Sequence, residues 1–391
     1  MKKKISILGS TGSIGINSLE LIKKRKELFE VNILLANKNY NLIVKQIKKF
    51  NPNVFVINDV KTFLKIKKKF KNKKTKIANN LESLKKIKTS DITISAVPGI
   101  AGLKPTIEII RKSKKILIAN KESIICGWEI IKKAASKYKT KIVPIDSEHF
   151  SIMQLLKNHK INDVKKIYIT ASGGPFLKLS LTKLKKIKPS QAIKHPKWKM
   201  GKKISIDSAT LMNKMLEVME AQKLFSISED KIQILIHPES LVHAIVEFKN
   251  GLNKLIYHET TMLIPLANAI FEESVNQDEF AKLKIMKKSS FIFEKLNFFK
   301  VEKKRFPIIK LRNRFNEYKS SPIIINAINE ILVDQFLKQK IGFTSFYNLF
   351  LKVLNDRNYK KYAIKEPKNI TEILQIDQWS RDKTLEKIKN V

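Results

Sequence analysis

Residues 9–15, Gly9-Ser-Thr-Gly12-Ser-Ile-Gly15, constrain this chain more than any other stretch, because they separate a short apolar run (5–8) from a helical pattern (16–26). Glycines three apart permit a tight turn and close backbone approach. The helix that follows turns its unsatisfied N–H groups toward whatever fills that turn. Strand, glycine turn and helix in this order open a doubly wound, dinucleotide-binding sheet. The rhythm continues through the apolar runs 31–36, 54–57, 92–96, 116–119 and 142–145, with amphipathic stretches such as 42–50 between them. That alternation predicts a parallel sheet covered by helices.

Two strand ends carry polar residues suited to the cofactor. After 31–36 comes Asn37-Lys38-Asn39, with a cation and no carboxylate. An acidic residue there would suit a ribose hydroxyl, whereas a cation suits a 2′-phosphate, so NADPH is expected over NADH. After 116–119 comes Asn120-Lys121-Glu122-Ser123. These residues either line the ligand crevice beyond the strand or form a turn in which Asn120 caps a helix.

Beyond residue 145 the pattern turns to α+β. Runs 167–170, 233–236, 244–249 and 254–258 read as strands, and a helix is expected over 208–225. A loop rich in Gly, Pro, Ser and Lys over 172–202 is a candidate lid. Residues 273–299 read as a linker, and 323–338 and 344–355 as helices. The expected organisation is α/β: a Rossmann-type doubly wound domain (1–145), a central α+β catalytic domain (146–272), the linker, and a small helical bundle (300–391).

Carboxylates cluster in two segments of the central region. Asp146 and Glu148 follow a short apolar run, and Asn213, Lys214 and Glu217 share one face of a helix by their spacing. Brought together, three carboxylates, an ammonium and an amide suit a hard divalent cation and an oxygen-rich anionic substrate. Ser172 with Gly173 and Gly174 forms either an anion nest or a flexible turn. His195, Trp198 and Met200 lie in the predicted lid and serve either packing or chemistry. Ser208 is expected near the N-terminus of the 208–225 helix, where it would meet a phosphate or act as an N-cap. His237 and His243 read as core or edge residues.

The balance of 78 basic to 35 acidic residues, a net charge of +43, invites a nucleic-acid reading. Only seven of the basic residues are arginines, however, and the lysines are scattered through every predicted helix and loop. Arginine is the residue expected where bases or phosphates are gripped bidentately. With isoleucine and asparagine also abundant, the charge reads as compositional drift that favours phosphorylated ligands. No specific nucleic-acid partner is expected. The single cysteine, Cys126, lies in an apolar run and fits a buried thiol in a reducing compartment. The start Lys2-Lys3-Lys4 precedes too short an apolar run for a secretory signal, and none of the apolar runs approaches a membrane span. A cytoplasmic protein without membrane association is expected.

The stretches 9–15, 119–123, 144–149, 172–176, 195–201 and 203–217 together closely resemble the 1-deoxy-D-xylulose 5-phosphate reductoisomerase family, in its order and spacing. The resemblance implies NADPH-dependent rearrangement and reduction of a phosphorylated ketose, by retro-aldol and aldol steps followed by hydride delivery. It also implies a need for Mg²⁺, Mn²⁺ or Co²⁺ and a homodimer. Carried over, Asp146, Glu148 and Glu217 would hold the metal, and Ser172, Ser208, Asn213 and Lys214 the phosphate and nearby hydroxyls. Lys121, Ser147 and His195 would complete the substrate shell beneath a lid carrying Trp198 and Met200. Thr11, Gly12, Ser13, Ile14, Lys38, Asn39, Asn120, Glu122 and Gly201 would contact NADPH.

This chain departs from the family in three places. Asn37 and Met215 stand where the family has glycine. The family's Gly-x-Pro-Asp-Met-Arg-x-Pro segment reads His258-Glu-Thr-Thr-Met-Leu-Ile-Pro265, a change expected to bear on packing or dimer contacts. Competing readings are a semialdehyde-type dehydrogenase, which would need a reactive cysteine, and a basic nucleic-acid-binding protein, whose salt-sensitive binding would survive loss of Glu217.

Overall fold

The computed structural model describes residues 1–82, 88–198, 200–272 and 296–389. Two compact units divide them. The first contains Met1–Ser123, Trp128–Asp146 and the described part of Met262–Ser289. The second contains Ile124–Gly127, Ser147–Thr261 and the described part of Ser290–Val391. The linker expected over 273–299 lies outside the described residues except for its last four.

In the first unit, one sheet is built from β1 (Lys3–Leu8), β2 (Phe29–Ala36), β3 (Val54–Ile57), β4 (Lys76–Ala78), β5 (Ser90–Ser95), β6 (Ser113–Ile118) and β7 (Lys141–Pro144). Their order is β4-β3-β2-β1-β5-β6-β7, and every pairing is parallel. Consecutive residues of β2 and β3, Ile33 to Ala36 and Val54 to Ile57, are all buried, the mark of strands covered on both faces. Chain order reverses between β1 and β5, so the crevice beyond their carboxyl ends is the topological switch point. The doubly wound sheet expected from the sequence is present. Only β4 escaped notice, being three residues in a lysine-rich stretch.

The second unit contains a mixed sheet of β8 (Val164–Ala171), β9 (Ile232–Ile236), β10 (Val242–Phe248), β11 (Asn253–Tyr257) and β12 (Phe299–Lys300), ordered β11-β10-β8-β9-β12. Only the β8–β9 pair is parallel. A one-residue register shift in β10 between Val242 and Ile245 breaks its pairing with β11. Five α-helices follow among the described residues of 300–389: Arg312–Phe315, Ser321–Leu337, Ser345–Leu354, Tyr359–Ala363 and Ile370–Lys389. The Arg381 guanidinium binds Glu330 and Asp377, and the Asn329 amide donates to Asp207 Oδ1 at 2.8 Å.

Two expectations need correction. The helix expected over 208–225 is two helices, Lys202–Ala209 and Met212–Phe225, separated at Leu211, whose φ is +66°. No Gly or Pro marks the break, and the apolar pattern runs through it, so periodicity could not reveal it. Ser208 therefore lies near the C-terminal end of one helix rather than the N-terminus of the next. The second concerns 172–202, which is not a structureless loop. A 3₁₀ turn (Leu181–Lys186) and a short helix (Pro189–Ala192) bury Leu184 and Ala192. The Arg305 guanidinium donates to the carbonyls of Phe176 (2.9 Å) and Leu179 (2.6 Å), anchoring its start.

Candidate active site

The glycine turn caps β1 at the switch point. Gly9 has φ +84°, and a side chain there would strike the Ala96 carbonyl beyond β5. One at Gly15 would strike the backbone of Gly9 and Ser10. Gly12 differs: its only close neighbour would be the Gly9 carbonyl, at 3.3 Å. Thus the fold itself requires two of the glycines, while the third leaves space at the start of the helix Ser13–Lys24. That helix has no side-chain cap and no acidic residue in its first turn, so its N–H groups are available to an anion. Ser10 is locked in place by Gln46, which accepts from its hydroxyl at 2.8 Å and donates to its carbonyl at 2.7 Å.

The other predicted cofactor residues divide by role. Lys38 is exposed beyond β2, and the Asn39 side chain accepts from Leu42 N at 3.2 Å, capping the helix Tyr40–Phe50. Asn120 realises its capping alternative. Its Oδ1 accepts from Ser123 N at 2.5 Å and its amide donates to the Val97 and Gly99 carbonyls. Glu122 is buried. Gly201 is exposed at the uncapped start of the helix Lys202–Ala209.

Asp146, Glu148 and Glu217 each present an oxygen, and these oxygens lie within 4.8 Å of one another. Two peptide bonds separate Asp146 from Glu148, and the helix Ser147–Leu155 starts between them. On the helix Met212–Phe225 the predicted shared face is real: the Asn213 amide donates to Glu217 Oε1, and Lys214 Nζ is 2.6 Å from Glu217 Oε2. Lys214 also pairs with Glu148, while Lys121 Nζ lies 2.7 Å from Asp146 Oδ2. Ser147 donates to Glu148 Oε2 at 2.7 Å. Burial pulls the Lys214 ammonium downward, but the Glu148 and Glu217 carboxylates outweigh this, so its pKa is raised and it stays charged. Among the described residues these three carboxylates offer hard oxygen donors close together, a set that fits a divalent cation.

Met215 is 1 % exposed. At about 100° per residue it projects roughly 160° away from Glu217, into the core rather than toward the carboxylates.

The hydroxyl end of the site follows β8. Gly173 and Gly174 both have positive φ, and a side chain on Gly174 would come within 3.0 Å of the Ser208 carbonyl and Ala209 Cα. The Ser172 turn is therefore packed directly against Ser208. His195 Nδ1 accepts from the backbone N–H of Lys197 (3.2 Å) and Trp198 (2.9 Å), which puts the ring proton on Nε2, 2.9 Å from Ser172 Oγ. Burial, helped by the Lys214 charge, holds this imidazole down to about 4, so it is neutral. Ser172 Oγ also accepts from Gly174 N at 3.1 Å, leaving its proton for another acceptor. Met200 is half-buried.

Three histidines were not assigned to the site from sequence. His149, fully buried, donates from Nε2 to the Glu217 carbonyl at 3.0 Å and has Nδ1 3.3 Å from Glu220. Its place beside Glu148 in the same motif was the available signal. His243 on β10 and His258 beyond β11 stack with ring centroids 4.0 Å apart, and Trp198 meets His243 edge-on at 5.9 Å. No sequence signal joins residues 198, 243 and 258.

A nucleotide turn at a switch point and an oxygen-rich cation nest belong together in one class, oxidoreductases that use a dinucleotide with a divalent ion. Comparison with known proteins narrows it. Family descriptions of 1-deoxy-D-xylulose 5-phosphate reductoisomerase match residues 5–127, and those of its C-terminal domains match 142–225 and 259–383. The Pelagibacter ubique enzyme of that name is 47% identical over 382 residues, covering 96% of this chain and 97% of its own. Among solved structures, the reductoisomerase from Zymomonas mobilis in complex with NADPH aligns over 100% of both chains, with TM-score 0.86 and 32% identity. A reductoisomerase in complex with NADPH, fosmidomycin and magnesium aligns over 99% of this chain and 98% of its own, with TM-score 0.88 and 30% identity. The chain belongs to the 1-deoxy-D-xylulose 5-phosphate reductoisomerase family.

Proposed function

We infer that this chain converts 1-deoxy-D-xylulose 5-phosphate to 2-C-methyl-D-erythritol 4-phosphate, a step of non-mevalonate isoprenoid synthesis, using NADPH and a divalent metal ion. The observation that carries this reading is the meeting of Asp146, Glu148 and Glu217 in a chain of this family. Those carboxylates would hold a Mg²⁺, Mn²⁺ or Co²⁺ ion, which would supply Lewis acidity for the substrate's oxygens. NADPH supplies the hydride.

The protein's own residues bind and orient. Ser147 and Lys121 hold Glu148 and Asp146 in place through the contacts described above. Ser172, Ser208, Asn213 and Lys214 bind the phosphate and nearby hydroxyls, with the Ser172 proton free to donate and Lys214 supplying positive charge. His195 acts through Ser172, fixing its hydroxyl from Nε2, and the 172–202 segment with Trp198 and Met200 excludes water. Thr11, Gly12, Ser13 and Ile14 take the pyrophosphate at the uncapped helix start, and Lys38 with Asn39 takes the 2′-phosphate. Asn120, Glu122 and Gly201 complete the cofactor contacts.

We further place the enzyme in the cytoplasm, supported by one buried free cysteine, and as a homodimer. No described helix is long and apolar enough to cross a membrane. Supporting the dimer, β11 is a sheet edge with Leu255 on it and Leu252 before it, both exposed. Light scattering at micromolar concentration should give twice the chain mass. The activity is tested by following NADPH oxidation with deoxyxylulose phosphate, identifying the product by NMR, with EDTA and then with Mg²⁺ or Mn²⁺. Turnover only with metal is expected, and no turnover under either condition would refute the reading.

A further inference from the structure

His243 lies in β10 between Val242 and Ile245, where the register with β11 shifts and regular pairing is interrupted. Its imidazole meets His258 face to face, at 4.0 Å and 18°, and forms a T-shaped contact with Trp198 at 5.9 Å and 72°. His243 and His258 are 3% and 7% exposed. The His258 Nδ1–H donates to its neighbour's carbonyl, Glu259 O, at 2.8 Å. Nε2 of both rings is buried with no hydrogen-bond partner among the described residues.

The departure at 258, where the family has glycine, puts a ring against His243, the imidazole that Trp198 meets. We propose that His258 is a positioning residue for the substrate site: by stacking on His243 it fixes the imidazole against which Trp198 seats. The stack carries no ionic repulsion. Burial drives His243 down to about 3, with His258 adding to the effect, and burial lowers His258 as well, so both rings are neutral at physiological pH. The Asp and Arg of the family segment are Thr261 and Leu263 here, so the ring stands in a segment that has lost two charged side chains. The proposal rests on reading the 172–202 segment as the cover of the substrate site.

The test uses the full-length protein with Trp128 and Trp379 replaced by phenylalanine, so that Trp198 alone fluoresces. His258→Gly and His258→Ser, either of which suffices if the other fails to fold, should raise acrylamide quenching of Trp198 about twofold without substrate. They should also raise KM for deoxyxylulose phosphate about fivefold, equivalent to about 1 kcal/mol, the size of one ring–ring contact. The kcat and the KM for NADPH should stay within about twofold. His258→Phe, which keeps the ring and loses the nitrogens, should restore both quenching and KM. Unchanged quenching and KM in the small-residue variants, or failure of phenylalanine to rescue them, would overturn the proposal. If the parent protein did not turn over deoxyxylulose phosphate, the functional reading would fail while the quenching comparison still decided the stacking role.

Discussion

The nucleotide turn and the carboxylate cluster are built on opposite principles. At the turn, residues close in sequence are forced into place by their own backbone: Gly9 and Gly15 have no room for a side chain, and Gln46 clamps Ser10. At the cluster, side chains from 148, 172, 195, 214 and 217 are assembled by separate helices and loops, with ion pairs joining 148, 214 and 217 and a hydrogen bond joining 172 and 195. The first kind of site is fixed sterically, whereas the second must balance like charges, so substitutions should act on stability in one and on binding in the other.

The sharpest break of that contrast is Gly15→Ala against Gly12→Ala. The first overpacks the turn and should cost about 1–3 kcal/mol, read as a lower melting temperature and lost NADPH binding. The second should melt like the parent and still bind NADPH about tenfold or more weakly in a fluorescence titration, because only the ligand's space is taken. Equal melting losses would erase the distinction between fold-required and ligand-required glycines.

A smaller effect is expected at Gly174, which does in the second unit what Gly15 does in the first. Gly174→Ala should push the Ser172 turn from Ser208 and raise KM for the phosphorylated substrate several-fold, leaving the KM for NADPH unchanged. Lys38→Glu should reduce the preference for NADPH over NADH about tenfold in kcat/KM. Equal use of both cofactors by the parent would remove the proposed role of Lys38.

The smallest expected effect is on pH-dependent stability. His195 and His243 titrate near 6.5 when unfolded and are held to about 4 and about 3 when folded. The unfolded chain therefore takes up protons first, and their contribution is complete above about pH 6.5 and lost as pH falls through the folded values. Urea midpoints should decline between pH 6.5 and 4.5, above the usual carboxylate range, and His243→Phe should flatten the decline.

The same contrast explains what the sequence made legible. The doubly wound sheet could be read because continuous apolar runs and a glycine turn are local signals. Asn213, Lys214 and Glu217 could be read because helical spacing is local too, and the structure places them on one face. The break at Leu211 left no signal, since a non-glycine residue adopts φ +66° inside an unbroken apolar pattern. His243 and His258 come together across a shift in strand register, which no periodicity records. Met215, a departure beside functional neighbours by position, projects from the opposite side of the helix to Glu217.

The most direct test of the carboxylate site is Mn²⁺ binding and NADPH-dependent turnover measured together for the parent and Glu217→Gln. One Mn²⁺ per chain and metal-dependent turnover are expected for the parent, with both falling about a hundredfold or more in the variant while NADPH affinity is unchanged. A variant that binds Mn²⁺ and turns over like the parent, or a parent equally active without metal, would contradict the assignment of Asp146, Glu148 and Glu217.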